Sequence, residues 1–146
     1  MRRALQILGA LGLVGAGLLS NAYADDKDVI DYRQHTMNTL NEQAAALGQI
    51  LSQAIPDDNV VGHLDALALA AATAVKAFEP KVLGGESKPE VWSNWADFSK
   101  RLNEFVQKTA TASKTAHTQG KEAALSNILE VLTCKSCHDV YRQEKK

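Results

Sequence analysis

The chain has 146 residues, the length of about one domain. Its 16 Lys and Arg nearly balance 17 Asp and Glu, and the net charge of −1 excludes the strongly basic surface of a nucleic-acid binder. At 45% hydrophobic and 23% charged residues the composition is that of a folded domain, and two Cys are too few for a disulfide-stapled scaffold.

A basic start, Met1-Arg2-Arg3, is followed by an apolar run from Ala4 to Leu19 and by Ala22-Tyr23-Ala24, the small-x-small pattern that a signal peptidase reads. The alternative is an uncleaved anchor, but the run is short for a span of about 20 residues. The A-x-A site and the acidic Asp25-Asp26 behind it favour cleavage before Asp25. Residues 1–24 are therefore assigned as a signal peptide and 25–146 as the exported, periplasmic domain. In the rest of the chain Lys, Asp or Glu interrupts every apolar stretch, so no further membrane span is expected.

Four segments carry apolar residues at alternating steps of three and four, the pattern of helices that bury one face. The first runs Ile30, Arg33, Met37, Leu40, Ala44, Leu47, Leu51, Ala54, and the second Val60, Leu64, Leu67, Ala71, Ala74, Phe78. The third runs Val91, Trp95, Phe98, Leu102, Phe105, Thr109, Ala112, and the fourth Leu125, Ile128, Leu129, Leu132. No segment alternates with period two, so the prediction is all-α, an antiparallel up-down-up-down four-helix bundle. Pro56-Asp57-Asp58 separates the first pair, and either Asp could cap the second helix. Pro80 stops that helix, Gly84-Gly85 marks a loop, and Ser87-Lys88-Pro89-Glu90 matches an S-x-x-E capping box for the third. Gly120 makes the last break.

Both Cys of the chain fall in Cys134-Lys135-Ser136-Cys137-His138, a C-x-x-C-H run. That is the attachment signature of a c-type haem: two thiols on one side of a helix add to the vinyl groups, and the next imidazole ligates the iron. A thioredoxin-like dithiol would need a strand-to-helix context that is missing here. A structural zinc site needs about four ligands, whereas His35, His63 and His117 are scattered and read as surface positions. A plain disulfide would leave His138 unexplained. Met37 is the only Met left once the leader is removed. It is either an adaptable core filler or the second axial ligand. Arg33, one turn earlier on the same inward seam, needs an anionic partner, since an unpaired buried guanidinium costs several kcal/mol. Haem propionates are the natural candidates.

These features resemble the cytochrome c′ family. The likeness is carried by Tyr32-Arg33-Gln34, by Phe78 through Gly84-Gly85-Glu86, by Pro89-Glu90-Val91-Trp92, and by Cys134 through Arg142. The resemblance implies a four-helix bundle with one covalent haem c near the C-terminus. It also implies that the residue four after the helix-one Arg faces the distal side of the iron. A non-ligating residue there leaves the iron five-coordinate and open to gases. Met37 at that position resembles the low-spin, six-coordinate branch called cytochrome c-556. The same likeness puts Arg33 and Gln34 by the propionates, Glu86 at the haem edge, and Arg142 near the proximal ligand. Trp92 is read as bundle packing, and the charged end from Arg142 to Lys146 as a frayed helix terminus.

The expectation is a periplasmic electron carrier with His138 and Met37 as iron ligands, since such a pair keeps both axial positions filled in either oxidation state. No catalytic base or nucleophile is identified, so no enzyme activity is expected. The partners would be periplasmic redox proteins, with no nucleic acid and no membrane after cleavage, and the chain would be a monomer or homodimer. The competing function is a five-coordinate binder of nitric oxide or carbon monoxide. A peroxide-reducing subunit is a weaker third reading, for want of a distal acid–base group.

Overall fold

The computed structural model describes residues 24–144 of the chain, so the assigned leader lies outside the described residues but for its last one, Ala24. In chain order the helices are α1 (Asp26–Leu51), a 3₁₀ turn (Asp57–Asn59), α2 (Val60–Phe78), α3 (Glu90–Ser93), α4 (Trp95–Gln119), α5 (Lys121–Ser126), α6 (Ile128–Val131) and α7 (Cys134–Tyr141). Among the described residues there is no strand, only isolated bridges of Ser87 with Gly84 and with Arg142. This is a four-helix bundle whose third and fourth helices are interrupted.

Asp25, the residue expected to begin the processed chain, caps α1: its Oδ1 accepts from Asp28 N at 2.8 Å. Asp26 and Asp28 in the first turn complement the positive end of the helix dipole. The predicted seams supply most of the core, which Ile50, Ala70, Ala77, Ala116, Ala124, Val131 and Tyr141 complete from outside them. All six apolar positions named for the second helix are buried, and Leu47, Leu64 and Leu67 are fully enclosed. Each such side chain contributes roughly 1.5–3 kcal/mol relative to exposure. By length and composition the segment Asp57–Phe78 would suffice to cross a membrane. That corrects the expectation that no later stretch could. Its apolar face is spent on α1 and α4, as in the core helix of a bundle.

Other local expectations fail for identifiable reasons. Neither Asp57 nor Asp58 caps α2: Asn59 holds the cap position without a side-chain bond, and Asp57 instead accepts from Lys121 Nζ at 2.7 Å. No capping box forms at Ser87, because Pro89 occupies the N-cap and the Ser87 backbone is taken up in pairing with Gly84 and Arg142. Helix one stops at Leu51, which leaves Ala54 exposed beyond it. Leu129, placed on the fourth seam, is 74% exposed, because breaks at Asn127 and Leu132 rephase that segment. His117 is exposed as expected and His63 half-buried, and both also tie helices together: His63 Nδ1 lies 2.9 Å from Gln43 Oε1, and His117 Nε2 lies 3.0 Å from the Asp65 carboxylate.

α1 packs on α2, α2 on α4, and α4 on α5, α6 and α7. Between α1 and α7 there is no comparable helix packing, so the fourth side of the bundle is not closed by helix on helix. The loop from Pro80 to Pro89 spans that side.

Candidate functional site

The C-x-x-C-H run lies on α7, an eight-residue helix. So short a helix is marginal by its own hydrogen bonds, and Thr133 at its N-cap makes no side-chain cap bond. Cys134 and Cys137, one turn apart, share a side of the helix. Both are free thiols, with Cys134 exposed and Cys137 half-buried. Burial of the sulfurs pushes both thiols above their ordinary pKa. His138 is half-buried, and desolvation, followed by the charge of Arg142, lowers its pKa. A neutral imidazole is the form that offers a lone pair to a metal.

The loop from Pro80 binds both flanks of the open side. Towards α7, Lys88 N donates to Tyr141 O at 2.9 Å and Gln143 N donates to Glu86 O at 2.8 Å. The chain end through Gln143 is therefore tied down rather than frayed as expected. Towards α1, Gly84 and Gly85 take φ values of 126° and 64° and lie directly on Ile30 and Gln34. A Cβ at Gly85 would sit 2.9 Å from Ile30 Cγ2 and 3.1 Å from Gln34 Nε2. Gly85→Ala should thus combine left-handed backbone strain of about 1–3 kcal/mol with steric displacement of α1. A thermal melt of the holoprotein checks this, and an unchanged midpoint would show that the loop yields freely.

Arg33 is 2% exposed. Its Nη1 donates to Val82 O at 2.8 Å, and its guanidinium carbon lies 4.8 Å from the Trp92 ring centroid and 5.7 Å from that of Phe78. A buried guanidinium is expected to meet an anion, yet a backbone carbonyl and two aromatic faces surround this one. Trp92, expected to serve only in packing, also donates through Nε1 to Phe78 O at 3.0 Å. Arg33 Nη2 has no partner, and it is the one buried side-chain N or O atom in that condition among the described residues. Such an orphan costs more for a charged group than the roughly 1–3 kcal/mol of a neutral one. It fits the carboxylate of a bound cofactor.

The remaining expected residues are placed as follows. Met37 is half-buried and packs against the hydrophobic core from α1. Gln34 is exposed on α1 beside Gly85, and Glu86 is exposed in the loop. Arg142 is exposed at the end of α7, with its N–H donating to His138 O at 3.0 Å.

One cluster escaped the sequence reading. Tyr141, 3% exposed, donates its hydroxyl to Asp97 Oδ2 at 2.6 Å, and Asp97 also accepts from Arg101 Nε at 2.6 Å. Asn94, at the break between α3 and α4, donates to the same hydroxyl at 3.3 Å. Burial and the Asp97 carboxylate push the Tyr141 pKa to about 12, and the bonds from Tyr141 and Arg101 hold Asp97 low. Two signals in the sequence point here: Tyr141 follows His138 by about one turn, and Asp97 is spaced i,i+4 from Arg101.

The family model described as Cytochrome C′ matches residues 28–142. The chain belongs to the cytochrome c′ family. Cytochrome c′ of Alcaligenes xylosoxydans xylosoxydans is 26% identical over 128 residues, covering 84% of this chain and 99% of that protein. The cytochrome c′ of Pararhodospirillum photometricum is 27% identical over 129 residues, covering 82% and 100%. A ferrous variant of the Alcaligenes xylosoxidans protein with bound nitric oxide superposes with a TM-score of 0.71 at 25% identity, covering 84% of this chain and 99% of the other. Another variant, with carbon monoxide bound, superposes equally well. This cytochrome c′ carries one covalent haem c, and the free thiols of Cys134 and Cys137 fit its attachment.

Proposed function

We propose that this cytochrome c′ is an exported, periplasmic monohaem protein that binds a diatomic gas, nitric oxide or carbon monoxide, at the haem iron that His138 would ligate. The observation that carries this reading is the match, over 84% of this chain and 99% of the other, to variants of the Alcaligenes xylosoxidans cytochrome c′ whose structures hold those gases. The bound haem supplies an iron that passes between ferrous and ferric states and accepts a sixth ligand. Cys134 and Cys137 would hold the group covalently and His138 would ligate its iron, while Arg33 Nη2 and Gln34 would meet its propionates and Glu86 would lie at its edge. The buried face of α1 offers only Arg33 and Thr36 as polar groups, and the Thr36 hydroxyl donates back to Tyr32 O at 3.0 Å. A binder that takes up and releases the gas, rather than a catalyst that needs a distal acid–base group, is the reading proposed. Electrons reach the iron from periplasmic partner proteins, with the chain as monomer or homodimer.

A second reading, the electron carrier with Met37 as sixth ligand, is favoured by one observation: Met37 lies one turn from Arg33, half-buried on the inner side of α1. In this cytochrome c-556-like reading the Met37 thioether would be the iron's second protein ligand. The absorption spectrum of the reduced protein, with and without carbon monoxide, separates the two. Gas binding predicts a spectrum that shifts with carbon monoxide in the wild type and in Met37→Leu alike. Sharp low-spin bands unmoved by the gas, converted to a shifting high-spin spectrum by Met37→Leu, would establish the carrier instead.

A further inference from the structure

We infer that Tyr141 is a positioning residue for the proximal ligand, acting through its hydrogen bond to Asp97 to hold His138 in place. The inference rests on haem attachment to α7 and is independent of what occupies the sixth position.

α7 presents a single buried side chain, Tyr141. The helix packs on α3 and α4 and not extensively on α1, so the orientation of His138 depends on few contacts. Three separate elements grip Tyr141. From α4, Asp97 accepts its hydroxyl at 2.6 Å, and the Phe98 ring meets its ring edge-on with centroids 5.1 Å apart. From the α3–α4 junction, Asn94 donates to the hydroxyl at 3.3 Å. From the loop, Lys88 N donates to its carbonyl at 2.9 Å.

Ring packing alone tolerates sliding and rotation of a short helix about its axis. A directional bond to a carboxylate that Arg101 itself holds at 2.6 Å does not. Cys137 and His138 precede Tyr141 by four and three residues, so all three lie on neighbouring sides of one turn. Any rotation that Tyr141 permits is passed directly to the imidazole.

The test uses the haem-loaded protein as wild type, Tyr141→Phe, Asp97→Asn and Asp97→Ala. The readouts are the hyperfine-shifted NMR resonances of the His138 ring in the ferric state and the reduction potential, recorded beside the melting temperature. Tyr141→Phe and Asp97→Ala should move the His138 resonances and the potential. Asp97→Asn, which keeps an oxygen acceptor for the hydroxyl, should restore both towards wild type. If Tyr141→Phe does not mature, the two Asp97 variants carry the comparison alone. Lower melting temperatures with His138 resonances and potential unchanged would reduce the pair to a stabilising contact and overturn the proposal. Wild type without covalent haem would instead overturn the haem assignment itself.

Discussion

The double substitution Cys134→Ala, Cys137→Ala should yield a chain without covalent haem that melts far lower and less cooperatively than the wild type. Three sides of the bundle are closed by helix packing, whereas α1 and α7 are joined chiefly through the loop from Pro80 to Pro89. α7 itself buries one side chain. A tethered group whose contacts form only in the native state adds their free energy to stability, about 4 kcal/mol at an effective concentration a thousand times its dissociation constant. For a domain of this size that corresponds to a fall on the order of 15 °C once it is gone. Calorimetry of the two proteins decides the matter. A haem-free chain melting as sharply and as high as the holoprotein would show that the helices close the fourth side unaided.

Arg33→Met should change stability in opposite directions with and without haem. The protein's own groups leave Nη2 of the buried guanidinium unpaired, and burial depresses its pKa, so without haem Arg33 is expected to be a poorly compensated charge. Replacing a poorly compensated buried charge by an apolar side chain of similar volume is neutral or stabilising, by as much as about 1–4 kcal/mol. Part of that gain is offset by the lost contacts with Val82 O and the Trp92 and Phe78 rings. If Arg33 meets a propionate as proposed, the same change in the holoprotein removes a charge-assisted bond, a loss of roughly 1.5–3 kcal/mol. Denaturant titrations of both forms test the sign. Equal destabilisation of the two would mean that Arg33 serves the aromatic cluster and not the cofactor.

Much of the bundle was legible because burial imposes a period on the sequence. The second helix shows this best, since every residue of its predicted seam is buried. The third and fourth segments were legible in type but not in continuity. Asn94 gives up regular helix geometry, with φ −121° and ψ 46°, where its side chain reaches Tyr141. Leu129 was misplaced because a break two residues earlier resets the phase, and periodicity assumes an unbroken helix. Ser87 matched a capping box by spacing, but its backbone pairs with Arg142, a residue 55 positions away in sequence. Local pattern has no access to such a partner.

For the site, the sequence alone determined the attachment chemistry. Two thiols and an imidazole at C-x-x-C-H spacing act within one helical turn, and neighbours along the chain supply that geometry. The tertiary structure decided everything that depends on separate elements converging. It set Arg33 between Val82, Trp92 and Phe78 with one donor unspent, placed Gly84 and Gly85 against α1, and joined Tyr141 to Asp97. The physical reason is the range of the forces involved. Helical period and covalent spacing are properties of adjacent residues, whereas a buried donor is satisfied or orphaned only by what folding brings within about 3 Å of it.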